Sequence, residues 1–366
     1  MLLTRRIRII PTDEQMHLFF KSAGIARWAY NYFLGLSKEL YELQGFTLKE
    51  SDVRKYINNV LKKTTHVWLK AVSANVVKQA VKDASLARER FFKGISQYPK
   101  FKSRHKSKPG FYVNYESLKA TQNGFIGERL GNIKTSERLP KLAKGKKYSN
   151  PRITFDGINW WITVGYDVMP QAKSTSSKSI GVDIGIKELA VCSNGMKFRN
   201  INKTKRVKKL TKRLKQQQRR LAKKTIGSLN RQKQKTLINI THKKINHQRN
   251  NHLHQATTRL AKTKPKRIVV ESLNIKGMMK NRHLSRAIAS QKMHEFLFQL
   301  KYKCEKFGIE FVAADKWYPS SKMCSDCGSI NPNLKLSDRI YNCHCGLSLD
   351  RDFNASINLA NYQSIA

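Results

Sequence analysis

Acidic residues are scarce in this 366-residue chain. Asp and Glu total 24 against 72 Lys and Arg, a formal net charge of +48. So much self-repulsion does not suit an enzyme of small metabolites. It needs a polyanion, with nucleic acid as the first expectation and an anionic membrane surface as the rival. Long apolar runs are missing too. No stretch of about 18 apolar residues is available to span a bilayer. The opening MLLTRRIRIIP is interrupted by Arg5, Arg6 and Arg8 before a signal-peptide core can form. The expectation is a soluble intracellular protein, cytoplasmic and nucleoid-associated. No internal repeat is visible. Cysteine is sparse: Cys192 and Cys304 stand alone, while Cys324, Cys327, Cys343 and Cys345 crowd together, which suggests metal before disulfide. What is present is 40% hydrophobic residues, enough for a sizeable core, so wholesale disorder is excluded. The length suits two or three domains.

The N-terminal segment LLTRRIRIIP alternates like a strand. Thr12 and Gln15 form a capping box for a helix over 13–43, with weaker helical patterns at 50–63 and 71–93. From Phe111 the segments FYVNYE, GFIGERL, PRITFDG and NWWITVGYDV are short, β-rich and separated by turn residues, the signal of a small antiparallel barrel. The polar stretch 173–179, KSTSSKS, reads as a linker. Beyond it come three short strands with Asn194-Gly195 as a hairpin turn, basic helices over 203–262, the buried strand KRIVVES, an amphipathic helix over 284–306, the strand IEFVAAD and a closing helix in DFNASINLANY. That order is ribonuclease H-like: a hairpin feeding a mixed sheet flanked by helices. The fold class is α/β, in several domains.

From Leu189 to Val270 there is no Asp or Glu, and there are 25 Lys or Arg. Val207, Leu210, Leu214, Gln217 and Leu221 form a narrow seam. A turn at Gly227 and Asn230 leads to a second helix that packs back through Ile238, Thr241, Ile245, His252, Ala256 and Leu260. A solvated helix face normally interleaves acids for i,i+4 pairing. None is available here, so Lys208, Lys212, Arg213, Arg219 and Arg220 are candidates for phosphate contact. A second basic patch, YPKFKSRHKSK, mixes Lys100, Lys102 and Arg104 with Tyr98 and Phe101, which suits stacking plus phosphate contact.

Against this background each acid in an apolar setting is informative. Asp183 lies in IGVDIGI, Glu271 ends RIVVES, and Asp352 opens the last helix. An unpaired carboxylate on a buried strand is costly. Three of them at the ends of one sheet make a hard, oxygen-rich site for Mg²⁺ or Mn²⁺, and two such ions can hydrolyse a phosphodiester. Asp352 as a plain N-cap, and Glu271 as a partner of any nearby cation, are the structural alternatives. The pairs Cys324/Cys327 and Cys343/Cys345 match a four-cysteine zinc ribbon, with glycines after Cys327 and Cys345 for the knuckle turns. The second pair is one residue short, so His344 competes for a ligand position.

The runs GVDIGIKELAVCSNG, IVVESLNIKGMMKN and CSDCG…YNCHCGLSLDRDFNASINLA, with RIRIIPTDEQ, ARWAYNYFL and YPKFKSRHK before them, resemble TnpB, the transposon-encoded RNA-guided nuclease family related to the type V CRISPR effectors. The resemblance spans nearly the whole chain. It implies a RuvC-like nuclease whose acidic motifs fall on Asp183, Glu271 and Asp352, over 180–320 and 348–366. It implies a zinc-finger, target-nucleic-acid-binding insertion at 321–347, a helical recognition domain at 11–109, and a wedge-like β-barrel from 1–10 and 110–172. It also implies a guide RNA from the transposon end and double-stranded target DNA cut beside a short adjacent motif. An RNA-guided repressor, a guide-free transposase or resolvase with the same core, and a plain RNA-binding scaffold are the rivals.

Overall fold

The structure, a computed structural model, describes residues 1–335 and 337–363. The expected segments 321–347 and 348–366 thus extend outside the described residues at Leu336 and at 364–366. Two compact units divide at Val168/Met169. No helix among the described residues is long and apolar enough to cross a membrane.

The N-terminal unit is organised on β1 (Leu2–Ile10). Alternation sends Ile7 and Ile9 inward and Arg6 and Arg8 outward. The other strands are β2 (Gly110–Tyr112), β3 (Lys119–Thr121), β4 (Gly124–Gly127), β5 (Gly131–Thr135), β6 (Ser149–Phe155) and β7 (Trp160–Asp167). They form one antiparallel sheet in the order β2-β6-β7-β1-β5-β4-β3. Strand β1 pairs with β7 from Leu2 opposite Asp167 to Ile9 opposite Trp160. In place of the expected barrel the described residues give an open ladder. Strands β2 and β3, three residues each, stand at its two edges and do not pair with one another.

Helix α1 (Asp13–Gln44) begins on the expected capping box: Thr12 Oγ1 accepts from the Gln15 N–H, and Gln15 Oε1 accepts from the Thr12 N–H. It ends at Gly45, whose φ of +62° is the left-handed cap glycine favours. Helix α2 (Glu50–Tyr56) is followed by a π-helical turn to Leu61, and α3 (Ala74–Phe92) starts on the Ser73 cap. Phe19, Ala26 and Phe33 of α1 share a core with Val77, Val81 and Ala84 of α3 and with Ile133, Ile153 and Trp160 of the sheet. Arg152 of β6 forks onto both Asp83 carboxylate oxygens of α3, at 2.7 and 2.8 Å.

The C-terminal unit carries β8 (Ser179–Asp183), β9 (Glu188–Cys192), β10 (Lys197–Arg199), α4 (Lys205–Ala222), α5 (Leu229–Lys262), β11 (Arg267–Val270), α6 (Ile275–Met278), α7 (Ser285–Gln291), α8 (Met293–Phe307), β12 (Glu310–Ala313), β13 (Ile340–Asn342), β14 (Ser348–Asp350) and α9 (Arg351–Asn361). The main sheet runs β10-β9-β8-β11-β12: β10, β9 and β8 are antiparallel, β11 is parallel to β8, and β12 is parallel to β11. Gly195, at φ +82°, makes the β9–β10 turn. The expected single helix over 284–306 is two helices. Lys292 adopts φ +55°, breaking the ladder between α7 and α8.

In the α4–α5 hairpin, Gly227 (φ +89°) makes the turn and Asn230 falls inside α5. The contact is partly polar, because Gln217, Gln234 and Thr241 are buried with Val207, Ile238 and Ile245. Further along, Leu253 is buried where His252 was expected. His252 instead meets the Arg199 carbonyl at 2.9 Å. Arg231 donates to the Leu221 and Lys224 carbonyls and so caps the end of α4.

Strand periodicity divides the sheet's two faces. Ile180, Val182, Ile268 and Val270 meet Leu253, Leu260, Phe296 and Leu300 of α5 and α8. On the other face Val269 packs with Leu359 and Tyr362. Helix α9 lies on Gly181 so closely that a Cβ there would stand 2.0 Å from the Ser356 carbonyl oxygen and 2.4 Å from the Ala360 nitrogen. Both are backbone atoms that cannot step aside singly. Gly181→Ala is therefore expected to cost about 3 kcal/mol or more, the upper range for overpacking, and to lower the thermal midpoint measurably.

Candidate active site and metal centre

Parallel pairing sets Val182 beside Val270. Asp183, the last residue of β8, and Glu271, the residue after β11, therefore emerge next to each other from adjacent strands at the same sheet edge. Asp352 arrives on the second position of α9. It is not the helix cap. Asp350 takes that role, accepting from the Phe353 N–H at 3.1 Å, which leaves the Asp352 carboxylate for other uses. The three acids are thus brought to one place by two strands and one helix. Arg351 lies beside them, its Nε 3.9 Å from Asp352 Oδ1.

Desolvation, then the charges of Asp352 and Glu271, push the Asp183 carboxyl up from 3.8 to about 7, against a smaller opposing pull from Arg351. Desolvation raises Glu271 as well. Among the described residues no hydrogen bond or ion pair satisfies the Asp183 carboxylate. An unpaired Asp183 carboxylate with the like charges of Asp352 and Glu271 acting on it offers the oxygen-donor chemistry that a hard divalent cation fits. The hairpin loop after Asp183 is pinned by buried Gln291, whose Nε2 donates to the Gly185 and Ile186 carbonyls at 3.2 and 3.3 Å.

The four clustered cysteines are the only His, Cys, Asp or Glu set among the described residues whose ligand atoms all lie within 4.8 Å of one another. Cys324 Sγ is 3.6 Å from Cys345 Sγ, and Cys327 Sγ is 3.5 Å from Cys343 Sγ. A tetrahedral zinc with sulfurs at about 2.3 Å would set them about 3.8 Å apart, so the residues fit the ion. Gly328 and Gly346 follow the two pairs at φ +75° and +90°, as knuckle turns require. The Cys345 N–H, then the Ser329 hydroxyl, help bring the Cys343 thiol down to about 6, while, against the Leu347 N–H, desolvation and the neighbouring thiols push Cys345 up to about 12, so the set without its ion shares protons among its sulfurs. His344 is exposed and its Nδ1 lies 3.7 Å from Cys343 Sγ, but it is not among the four residues whose ligand atoms all lie within 4.8 Å of one another. Outside the set, burial lifts Cys192 and Cys304 to about 12.

Lys208, Lys212, Arg213, Arg219 and Arg220 are all exposed on α4. In the N-terminal unit, Lys100 and Arg104 are exposed, whereas Lys102 is not free surface: its Nζ sits 3.6 Å from the Tyr30 ring centre, and its backbone is bonded on both sides to Asn31. Trp317 carries no signal in the sequence. Its indole is 83% exposed with the Lys316 ammonium 4.6 Å from the ring, on a loop anchored by Asp315 to Tyr362 and by Tyr318 to the Asn358 carbonyl. No spacing marks an exposed Trp in advance.

Residues 162–282 match the transposase family OrfB_IS605, described as "Probable transposase". Residues 294–359 match "Cas12f1-like, TNB domain", and residues 1–45 match "Helix-turn-helix domain". In this structure that last range is one strand and one uninterrupted helix. The chain is 31% identical over 368 residues to a "Putative RNA-guided DNA endonuclease" of Streptomyces pristinaespiralis, covering 97% of this chain and 87% of that one. The chain belongs to the TnpB family. The protein "Putative RNA-guided DNA endonuclease InsQ" of Escherichia coli K12 is 25% identical over 97% of this chain and 90% of its own length. Among solved structures, a Cas12f1–sgRNA–target DNA complex matches 96% of this chain and 84% of its own with a TM-score of 0.61 at 16% identity, a likeness of fold.

Because the folded Asp183 carboxyl lies above its unfolded value of 3.8, its stability contribution is complete below about 4 and is lost as pH rises toward about 7. The ionised fold carries a cost of up to about 4 kcal/mol. In magnesium-free buffer, Asp183→Asn is expected to raise the thermal midpoint at pH 8 and to leave it nearly unchanged at pH 4. Equal midpoint gains at both pH values would contradict the burial argument. Separately, Cys324→Ser should lower zinc content per chain by elemental analysis and reduce stability.

Proposed function

We propose that this chain is a transposon-encoded, RNA-guided endonuclease that cleaves double-stranded DNA beside a short adjacent motif. The observation that carries the reading is the convergence of Asp183, Glu271 and Asp352 at one sheet edge, in a chain of this family with 72 cationic residues. The hairpin-then-parallel strand order supports a RuvC-like nuclease fold for 180–320 and 348–366, with 321–347 as the zinc-bearing insertion. By the family resemblance, 11–109 acts as a recognition region and 1–10 with 110–172 as a wedge.

Asp183, Glu271 and Asp352 hold Mg²⁺ or Mn²⁺ in this reading. The metal, when bound, activates water and stabilises the departing oxygen of a phosphodiester. The exposed cations of α4 engage phosphates, where no acid from 189 to 270 competes with them. Base pairing by the guide reads sequence, and the protein reads duplex shape and the adjacent motif. The four thiolates close the zinc site, leaving no open position for water, so that ion is structural. The intact acidic trio disfavours a pure repressor.

The test is cleavage by protein purified with its bound RNA, on a duplex matching the variable part of that RNA. Asp183→Ala is expected to retain the RNA and to lose cutting by about 10²–10³-fold, as removal of a charge-stabilising group does. Cutting at the wild-type rate would refute the site, and cutting without any RNA would refute the guide.

A further inference from the structure

Helix α9 carries two asparagines that the proposed chemistry does not use. Asn354 is fully buried and Asn358 is 2% exposed. Four residues apart, they lie on one flank of the helix, beside the face that Ser356 and Ala360 turn to Gly181. Their amides are directed at the knuckle. Asn354 Nδ2 donates to the Met323 carbonyl at 2.7 Å, and Asn354 Oδ1 accepts from the Ser325 N–H at 3.0 Å. The two bonds bracket Cys324, the buried thiol of the zinc set. Asn358 Nδ2 donates to the Ser320 and Met323 carbonyls at 2.8 and 2.7 Å.

The knuckle also reaches α9 along the chain. Strand β14 pairs with β13, which leads into Cys343, and β14 ends at Asp350, the cap of α9. Asp352 therefore lies between two attachments: the capped start of the helix and the asparagine flank. Apolar side chains could have filled that flank. Amides instead fix direction and register, because each leaves a buried backbone partner unpaired if the helix slides.

The geometry points to Asn354 and Asn358 as positioning residues that couple the cysteine knuckle to Asp352, so that metal retention at the thiolates and metal binding at the carboxylates depend on one another. This inference rests on the proposed reading that the four cysteines hold zinc and the three acids hold a divalent ion. Coupling of this kind is reciprocal. Loosening the clamp weakens both sites. Emptying the knuckle weakens the carboxylate site with the asparagines intact.

The test uses the full chain with its bound RNA, comparing wild type, Asn354→Ala, Asn358→Ala and, as a control, Asn361→Ala on the exposed last turn. Three readouts are taken: the rate of zinc release to a coloured chelator, the affinity for Mn²⁺ from the free-ion EPR signal, and the single-turnover cleavage rate with target-binding affinity. Asn354→Ala and Asn358→Ala are expected to speed zinc release and weaken Mn²⁺ binding about 10-fold each, as loss of groups that orient metal ligands does. Cleavage should slow in step, with target affinity unchanged. Asn361→Ala should match wild type. Asn354→Ala placed on Cys324→Ser should add little further loss of Mn²⁺ affinity.

Faster zinc release with unchanged Mn²⁺ binding would overturn the coupling, since the asparagines would then serve the knuckle alone. So would weakened Mn²⁺ binding with unchanged zinc release. Wild-type protein that neither binds Mn²⁺ nor cuts would instead overturn the nuclease reading itself, and the coupling with it. If Asn354→Ala loses its folded circular-dichroism signal, Asn358→Ala, which keeps both bonds around Cys324, decides between these outcomes.

Discussion

The contact on which the C-terminal unit depends is backbone against backbone: Gly181 of β8 under the carbonyl of Ser356 and the amide of Ala360 in α9. Only a residue without a Cβ permits that approach. It seats the second half of α9 on the strand that ends in Asp183, two residues further on. Asp352 joins Asp183 because the helix can lie flat on the sheet at this point. Glu271 joins them because β11 is parallel to β8 and in register with it. A candidate catalytic centre thus follows from one missing side chain and one parallel pairing.

The arrangement carries an electrostatic cost that the rest of the chain makes intelligible. Three acids converge in a protein with three times as many cations as anions, yet the nearby Arg351 only partly offsets the desolvation and like charges that push the Asp183 carboxyl up to about 7. Most of the cations are placed elsewhere. On α4 they stand exposed, and their local acid-free sequence denies them partners. Concentrated negative charge at one sheet edge and dispersed positive charge over a helical hairpin suit the two things a polyanion-processing protein needs: a seat for a divalent ion and a track for phosphates. In the N-terminal unit the charge logic differs. Arg152 and Lys102 are turned inward, onto Asp83 and the Tyr30 ring, and serve packing.

Much of the fold was readable in advance, for local reasons. The capping box at Thr12 and Gln15, the Asn194-Gly195 turn and the glycines of the knuckle are short-range signals, each set by backbone geometry within a few residues. The break at Lys292 was not readable, because a lysine in a left-handed conformation leaves no compositional mark. The seam of the basic hairpin slipped from His252 to Leu253. A long helix with few apolar residues carries little information on which face is buried, and its polar contact through Gln217 and Gln234 blurs the pattern further. The barrel expected from short β segments opened into a ladder, since three-residue edge strands offer too few hydrogen bonds to close it.

The sequence by itself determined the chemistry on offer: the excess of cations, the four thiols at ribbon spacing, and three acids in apolar or helix-start settings, because residue type and spacing are written in the chain. Tertiary structure alone decided which groups act together. It made Asp350 the cap and freed Asp352, it left His344 outside the thiol cluster, and it directed two buried asparagines from the helix of Asp352 onto the loop of Cys324. The cap is a contact three residues long, but the other two choices depend on distances between segments far apart in the chain, and such distances are fixed only when the last helix and the knuckle pack against one another.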